Sequence, residues 1–274
     1  MDLKRLARFG GLMALLVTLA GCFEVSTVVS VKPDGSGTVS ERMLMSRESL
    51  SQMKSLGDGD KKEKQGGMPE KEALEKKSGE YGEGVSFVGV HPVRTKTHEG
   101  YEAVYAFTDI SKLKVSQTPD TASSSDSSSG SAPKKQKEYV RFKYEKGTPS
   151  GLLVELDQKK EKAGGSSSAP AKPATTPEQQ KMAVELMKQF FKGMRVFLAV
   201  DIEGGMTSTN ATYRKGNRIT LVDMDFDKLM VHPKQFAAFN ALGPDPSPEE
   251  MQRVIGRIPG LKIEARKELE VRFR

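Results

Sequence analysis

The chain has 274 residues, a formal net charge of +7, 36% hydrophobic residues and a single cysteine. A lone cysteine excludes an intrachain disulfide, so the fold has to stand on its own core. The basic excess is modest and forms no dense Lys/Arg cluster, which argues against nucleic acid and suits anionic surfaces such as lipid headgroups or acidic polymers.

Lys4, Arg5 and Arg8 precede an apolar run from Gly10 to Leu19, which ends in Leu19-Ala20-Gly21-Cys22. The run is far below the ~20 residues that cross a bilayer, so it predicts a secretory signal rather than a spanning helix. Leu19-Ala20-Gly21-Cys22 resembles the lipobox of bacterial lipoproteins. The resemblance implies a signal peptide over 1–21, cleavage between Gly21 and Cys22, and lipid on the Cys22 thiol, with palmitate or a similar acyl chain on the new amino terminus. It makes the membrane the first expected partner and 22–274 a single extracytoplasmic domain. Phe23, standing where an aspartate would mark inner-membrane retention, implies an outer-membrane lipoprotein facing the periplasm if the host has two membranes.

After the cysteine, Val25, Thr27, Val29 and Val31 alternate with polar neighbours, the period-two pattern of a strand. Pro33-Asp34-Gly35-Ser36-Gly37 supplies turn chemistry before Thr38 to Met45 returns, which predicts a hairpin. Ser46 or Ser49 caps a short helix carrying Leu50, Met53 and Leu56. A polar stretch near 57–80 reads as a solvated insertion in which Glu70 to Lys77 is at most transiently helical. Strands follow at Val85 to Val90 and Tyr101 to Phe107, with a turn at His98-Glu99-Gly100. Ser/Thr-rich residues near 117–137 and a Lys/Gly/Ser/Ala/Pro tract near 159–175 read as disordered insertions flanking a hairpin of Tyr139–Tyr144 and Leu152–Leu156.

The most regular helical pattern begins at Thr176-Pro177-Glu178-Gln179, a capping box with proline at the first helical position. Met182, Leu186, Met187, Phe190 and Phe191 lie on its apolar stripe, and Met and Phe suit irregular apolar contents, so these five are the candidate contacts to an amphiphile. Val196 to Ile202 reads as a central strand, followed by Thr207 to Tyr213, a turn at Arg214–Asn217, and Ile219 to Met224. Short helices are expected at Pro233–Leu242 and from Ser247-Pro248-Glu249-Glu250, and a last strand over Lys262 to Arg274. The sum is an α+β fold: a mainly antiparallel sheet of hairpins packed by one long amphipathic helix and a few short ones.

Three segments, Phe23 to Gly35, Tyr105 to Ile110 and Ile202 to Ala211 leading into Ile219-Thr220-Leu221, are together similar to LppM-type lipoproteins of the bacterial envelope. That likeness implies an α/β envelope domain whose relative is associated with lipid binding. No binding residue carries over from it. Taken by itself, Gly204 to Asn210 reads as a tight strand connection.

Local chemistry is sparse. Asp223-Met224-Asp225-Phe226-Asp227 starts like a calcium loop but has Lys228 and Lys234 where glycine and glutamate belong, so it reads as a polar strand edge with a helix cap at Asp225 or Asp227. Ser51-Gln52-Met53-Lys54 lacks the companion motifs of penicillin-interacting enzymes. His91, His98 and His232 assemble neither a metal site nor a catalytic dyad by spacing. The expectation is a non-enzymatic lipoprotein with no metal and no cofactor, binding a lipid or other amphiphile. The alternative is an envelope assembly factor that holds a protein partner or an anionic polymer.

Overall fold

The computed structural model describes residues 23–56, 69–117, 137–157, 185, 191–232 and 246–274. Strand β1 (Phe23–Val31) buries Val25, Val29 and Val31 on one face, as its alternation requires. The Pro33–Ser36 turn closes with the Lys32 amide donating to the Ser36 carbonyl and the Ser36 amide to the Asp34 carboxylate. β2 (Gly37–Ser46) then returns antiparallel, Val31 facing Gly37 and Phe23 facing Met45. Of the two candidate caps, Ser46 serves helix α1 (Arg47–Leu56): its hydroxyl accepts the Ser49 amide.

Part of the stretch expected to be solvated is helix α2 (Lys71–Tyr81), which buries Leu74 and Tyr81, seven residues apart on one face. β3 (Ser86–Arg94) and β4 (His98–Phe107) pair around a turn at Thr95–Thr97, so His98-Glu99-Gly100 lies inside a strand rather than forming the turn. Gly100 serves close approach: a Cβ there would stand 1.9 Å from the Met43 carbonyl oxygen.

The remaining strands are β5 (Lys114–Ser116), β6 (Tyr139–Glu145), β7 (Ser150–Leu156), β8 (Arg195–Ile202), β9 (Met206–Thr209), β10 (Arg214–Lys215) and β11 (Arg218–Asp225). Helices α3 (Phe226–Val231) and α4 (Pro248–Ile255) precede β12 (Leu261–Ile263) and β13 (Glu268–Phe273). They form an eight-stranded sheet in the order β10-β11-β8-β1-β2-β4-β3, with β12 also on β11, and a five-stranded sheet, β5-β6-β7-β13-β9. β1 and β8 run parallel; the other described pairings are antiparallel.

The expected α+β fold with a long helix on one sheet is corrected by this architecture. The described residues are mostly strand, in two sheets, and the described helices are short, α2 having 11 residues. The physical reason is that the two sheets bury each other's apolar faces, so neither needs a helix as cover. Val29, Val39, Tyr105, Val200 and Ile219 of the larger sheet share one core with Val140, Phe142, Val154, Leu269, Val271 and Phe273 of the smaller. Full burial of such a side chain contributes about 1.5–3 kcal/mol. A second, small cluster of Leu229, Ile255, Ile258 and Leu261 fastens α3 and α4 to the β11–β12 edge.

The chain passes from the large sheet to the small one at Gly204, whose φ of +95 suits glycine. A Cβ there would meet the Arg274 carbonyl oxygen at 2.0 Å, and Gly205 and Arg274 exchange two backbone hydrogen bonds. The expected helix at Thr176–Lys192 falls, apart from Glu185, Phe191 and Lys192, outside the described residues. So do the expected helix at Pro233–Leu242 and nearly all of the insertions at 117–137 and 159–175.

Candidate functional site

Cys22 and Gly21, the proposed lipid-attachment and cleavage residues, lie outside the described residues, as do Met182, Leu186, Met187 and Phe190. Phe191 is described and half-buried. Its ring stacks on Phe226 of α3 with centroids 4.9 Å apart. Between the two sheets the described apolar side chains form one shared core.

A broad concavity lies on the opposite face of the large sheet. Period-two alternation sends Glu24, Ser26 and Val28 of β1 outward, and pairing sets Ser26 beside Arg42 of β2 and Phe197 of β8, and Val28 beside Ser40. With Glu102, Arg195 and Arg218 these residues line a groove of about 480 Å³. Its floor is apolar, Val28 and the Phe197 ring, and the Arg195 and Arg218 guanidinium carbons each stand 5.8 Å from the Phe197 ring centre.

Each arginine of the groove is held by a carboxylate. Arg218 grips Asp201 with two hydrogen bonds of 2.6 Å. Arg195 donates twice to Asp223, at 3.2 and 3.1 Å. Arg42 donates to Glu102 at 3.0 Å, and Glu102 also accepts the Ser40 hydroxyl at 2.5 Å. The Ser40 hydrogen bond, followed by the Arg42 charge, holds the Glu102 carboxyl below its ordinary range. The Asp201 hydrogen bond holds Arg218 above its ordinary value. These residues occupy outward positions of four strands far apart in sequence. Charged residues at alternate strand positions were the available sign, but only the pairing register shows that they meet.

A second polar group sits between the sheets. Glu41, 7% exposed, points inward from β2 and accepts hydrogen bonds from the Lys77 ammonium and the Tyr81 hydroxyl of α2, both at 2.5 Å. Burial, and then the Glu41 charge, pushes the Tyr101 hydroxyl up to about 12 and raises Tyr105 as well. These phenols are neutral donors, unsuited to act as bases. The adjoining cavity of about 40 Å³ has room for a few waters, so the cluster ties α2 to the sheet rather than receiving a substrate.

The remaining motifs are structural. Asp225 caps α3 by accepting the Lys228 amide, and the Asp227 carboxylate accepts the Gly193 amide. Asn210 exchanges backbone and side-chain hydrogen bonds with Glu270, as a strand connection requires. Among the described residues no group of three or more His, Cys, Asp or Glu is placed to hold a metal ion, and no helix is long and apolar enough to cross a membrane.

Fold and groove together define a two-sheet β protein with a polar-rimmed, apolar-floored groove on one outer face. No family model matches the chain, and no curated protein matches it. Among solved structures it is similar to the folded domain of the LppM protein of Mycobacterium tuberculosis, determined by NMR. The identity is 11%, the match covers 73% of this chain and 81% of that one, and the TM-score is 0.31. A likeness of that size transfers no residue role.

Proposed function

We propose that this chain is a membrane-anchored envelope lipoprotein, without catalytic activity, that holds an amphiphile in the groove on the outer face of its large sheet. The anchor is Cys22, on the strength of Leu19-Ala20-Gly21-Cys22 behind a short basic-apolar leader. In a two-membrane host it stands on the outer membrane facing the periplasm, because Phe23 and not aspartate follows the cysteine.

The observation that carries the binding reading is the pairing of an apolar floor with three guanidinium groups in one groove. An aliphatic chain would lie over Val28 and Phe197, while an acidic head group would take the place of a carboxylate on Arg195 or Arg218. The Arg side chains of these pairs are 45–47% exposed. Ion pairs in that setting are worth about 0–1 kcal/mol, so exchanging one anion for another costs little.

Native mass spectrometry of the purified protein is expected to show co-purifying lipid, and titration with a fluorescent lysophosphatidylglycerol to saturate. The combined Arg195→Gln and Arg218→Gln variant is expected to bind about tenfold more weakly, the loss of a charge-assisted hydrogen bond or two. Lipid-free protein with no saturable binding would overturn the proposal. A single dominant protein neighbour captured by cross-linking in cells would instead favour an assembly factor.

A further inference from the structure

The pairing register sorts the ends of the large sheet. β1 begins at Phe23, opposite Met45 near the end of β2, and Met45 faces Glu99 near the start of β4. Glu99 in turn faces Arg94, the last residue of β3. On the other side Glu24 is level with Arg195, the first residue of β8, and Arg195 with Asp225, the last of β11. One end of the sheet therefore gathers Phe23, Met45, the Thr95–Thr97 turn, Lys192 to Met194 and the root of α3. At the opposite end the Pro33 turn receives hydrogen bonds from the Tyr144 and Ser150 hydroxyls, which places the β6–β7 turn there.

The two ends differ in chemistry. At the Phe23 end, Phe23, Met45, Phe191, Met194 and Met230 are only partly covered, and Val231, at the tip of α3, is 71% exposed. Arg94, Lys96 and Lys192 are exposed there and have no ion pair among the described residues. The far end is built from turns rich in Pro, Gly, Ser, Lys and Asp.

Because β1 starts at the residue after Cys22, no spacer separates a lipidated cysteine from the sheet: adjacent Cα atoms are about 3.8 Å apart. Resting on the lipoprotein reading above, we propose that the Phe23 end of the large sheet lies flat on the bilayer surface. Phe23, Met45, Met230 and Val231 enter the headgroup layer, and Arg94, Lys96 and Lys192 meet lipid phosphates. Partly exposed apolar side chains beside cations that have no ion pair among the described residues fit an interface that is apolar beneath and anionic at its surface. The arrangement also gives the groove a direction, since its Glu24–Arg195 end faces the membrane and an amphiphile leaving the bilayer meets that end first.

The test uses the full lipidated chain in vesicles of phosphatidylethanolamine and phosphatidylglycerol. Once Cys22 is a thioether, an engineered cysteine is the only thiol available to a fluorophore. Val231→Cys reports the proposed contact end and Lys146→Cys, in the β6–β7 turn, the far end. With brominated lipids in the vesicles, quenching of the Val231 label is expected to exceed that of the Lys146 label several-fold. Equal quenching, or stronger quenching at Lys146, overturns the orientation. Mass spectrometry of the Cys22 peptide is run on the same samples. A bare thiol there sinks the lipoprotein reading itself, whereas lipidated protein with unquenched Val231 sinks only the docking.

Discussion

Glu41 is the charged position on the inner face of β2, between Val39 and Met43, and its cost is met by two donors from α2. Tyr105, on the neighbouring strand, buries its hydroxyl with no hydrogen-bond partner among the described residues. The two therefore respond oppositely to truncation. Glu41→Ala removes an acceptor from a largely buried Lys77 and is expected to destabilise by about 3 kcal/mol in urea unfolding. Tyr105→Phe deletes a desolvated hydroxyl that gains nothing and is expected to leave stability unchanged or raise it by about 1 kcal/mol. A loss at Tyr105 matching that at Glu41 would show the hydroxyl to be satisfied. Glu102 predicts a pH effect. Its carboxyl is held below the ordinary value, near 4.3, by Ser40 and then Arg42, so its contribution is present above that value and is lost as pH falls through the depressed one. Glu102→Gln is expected to flatten the decline in urea midpoint on acidification in that window. An unchanged pH profile would remove Glu102 from the account.

At the scale of elements, what could be read from the chain was what neighbouring residues decide. α4 shows it: Ser247 accepts the Glu250 amide, the Glu250 carboxylate accepts the Ser247 amide, and Pro248 takes the first helical position. Ser247→Ala is expected to cost about 1 kcal/mol and to speed amide exchange over Met251–Ile255 before it touches the large core. Uniform acceleration across both sheets would mean that α4 unfolds only with the whole. The C-terminal strand was legible only in part, because Ile263, Leu269, Val271 and Phe273 read as one continuous alternation while the chain breaks between Ile263 and Glu268. The break is made by Glu264, 3% exposed, whose carboxylate accepts the Thr212 amide and hydroxyl and the Arg266 amide. Its main partner is 52 residues away, beyond any local pattern. For the same reason α2 was legible only as a transient helix over Glu70 to Lys77: Leu74 and Tyr81 look like isolated apolar residues in a polar stretch until β3 and β5 supply the surface they cover.

Across the whole molecule, two sheets rather than one sheet and a helix set what can bind where. Among the described residues the sheets share one apolar core, so the proposed amphiphile is assigned to the outer face, where Arg42, Arg195, Arg218 and Phe197 meet. The sequence by itself determined most strand positions, the Pro33 turn and the cap at Ser247, and narrowed the first cap to Ser46 or Ser49, since these depend on side-chain alternation and hydrogen bonds within a few residues. It also contained the basic-apolar stretch up to Leu19 and the Leu19-Ala20-Gly21-Cys22 motif on which the lipoprotein proposal rests, both linear by nature. Only the tertiary structure decided that β1 runs parallel to β8, that Gly204 passes the chain from one sheet to the other, and that five strands, β1, β2, β4, β8 and β11, build the groove. Those outcomes depend on which apolar face covers which, a choice made by burial summed over residues far apart in the chain, and period-two alternation is the same whichever partner a strand takes.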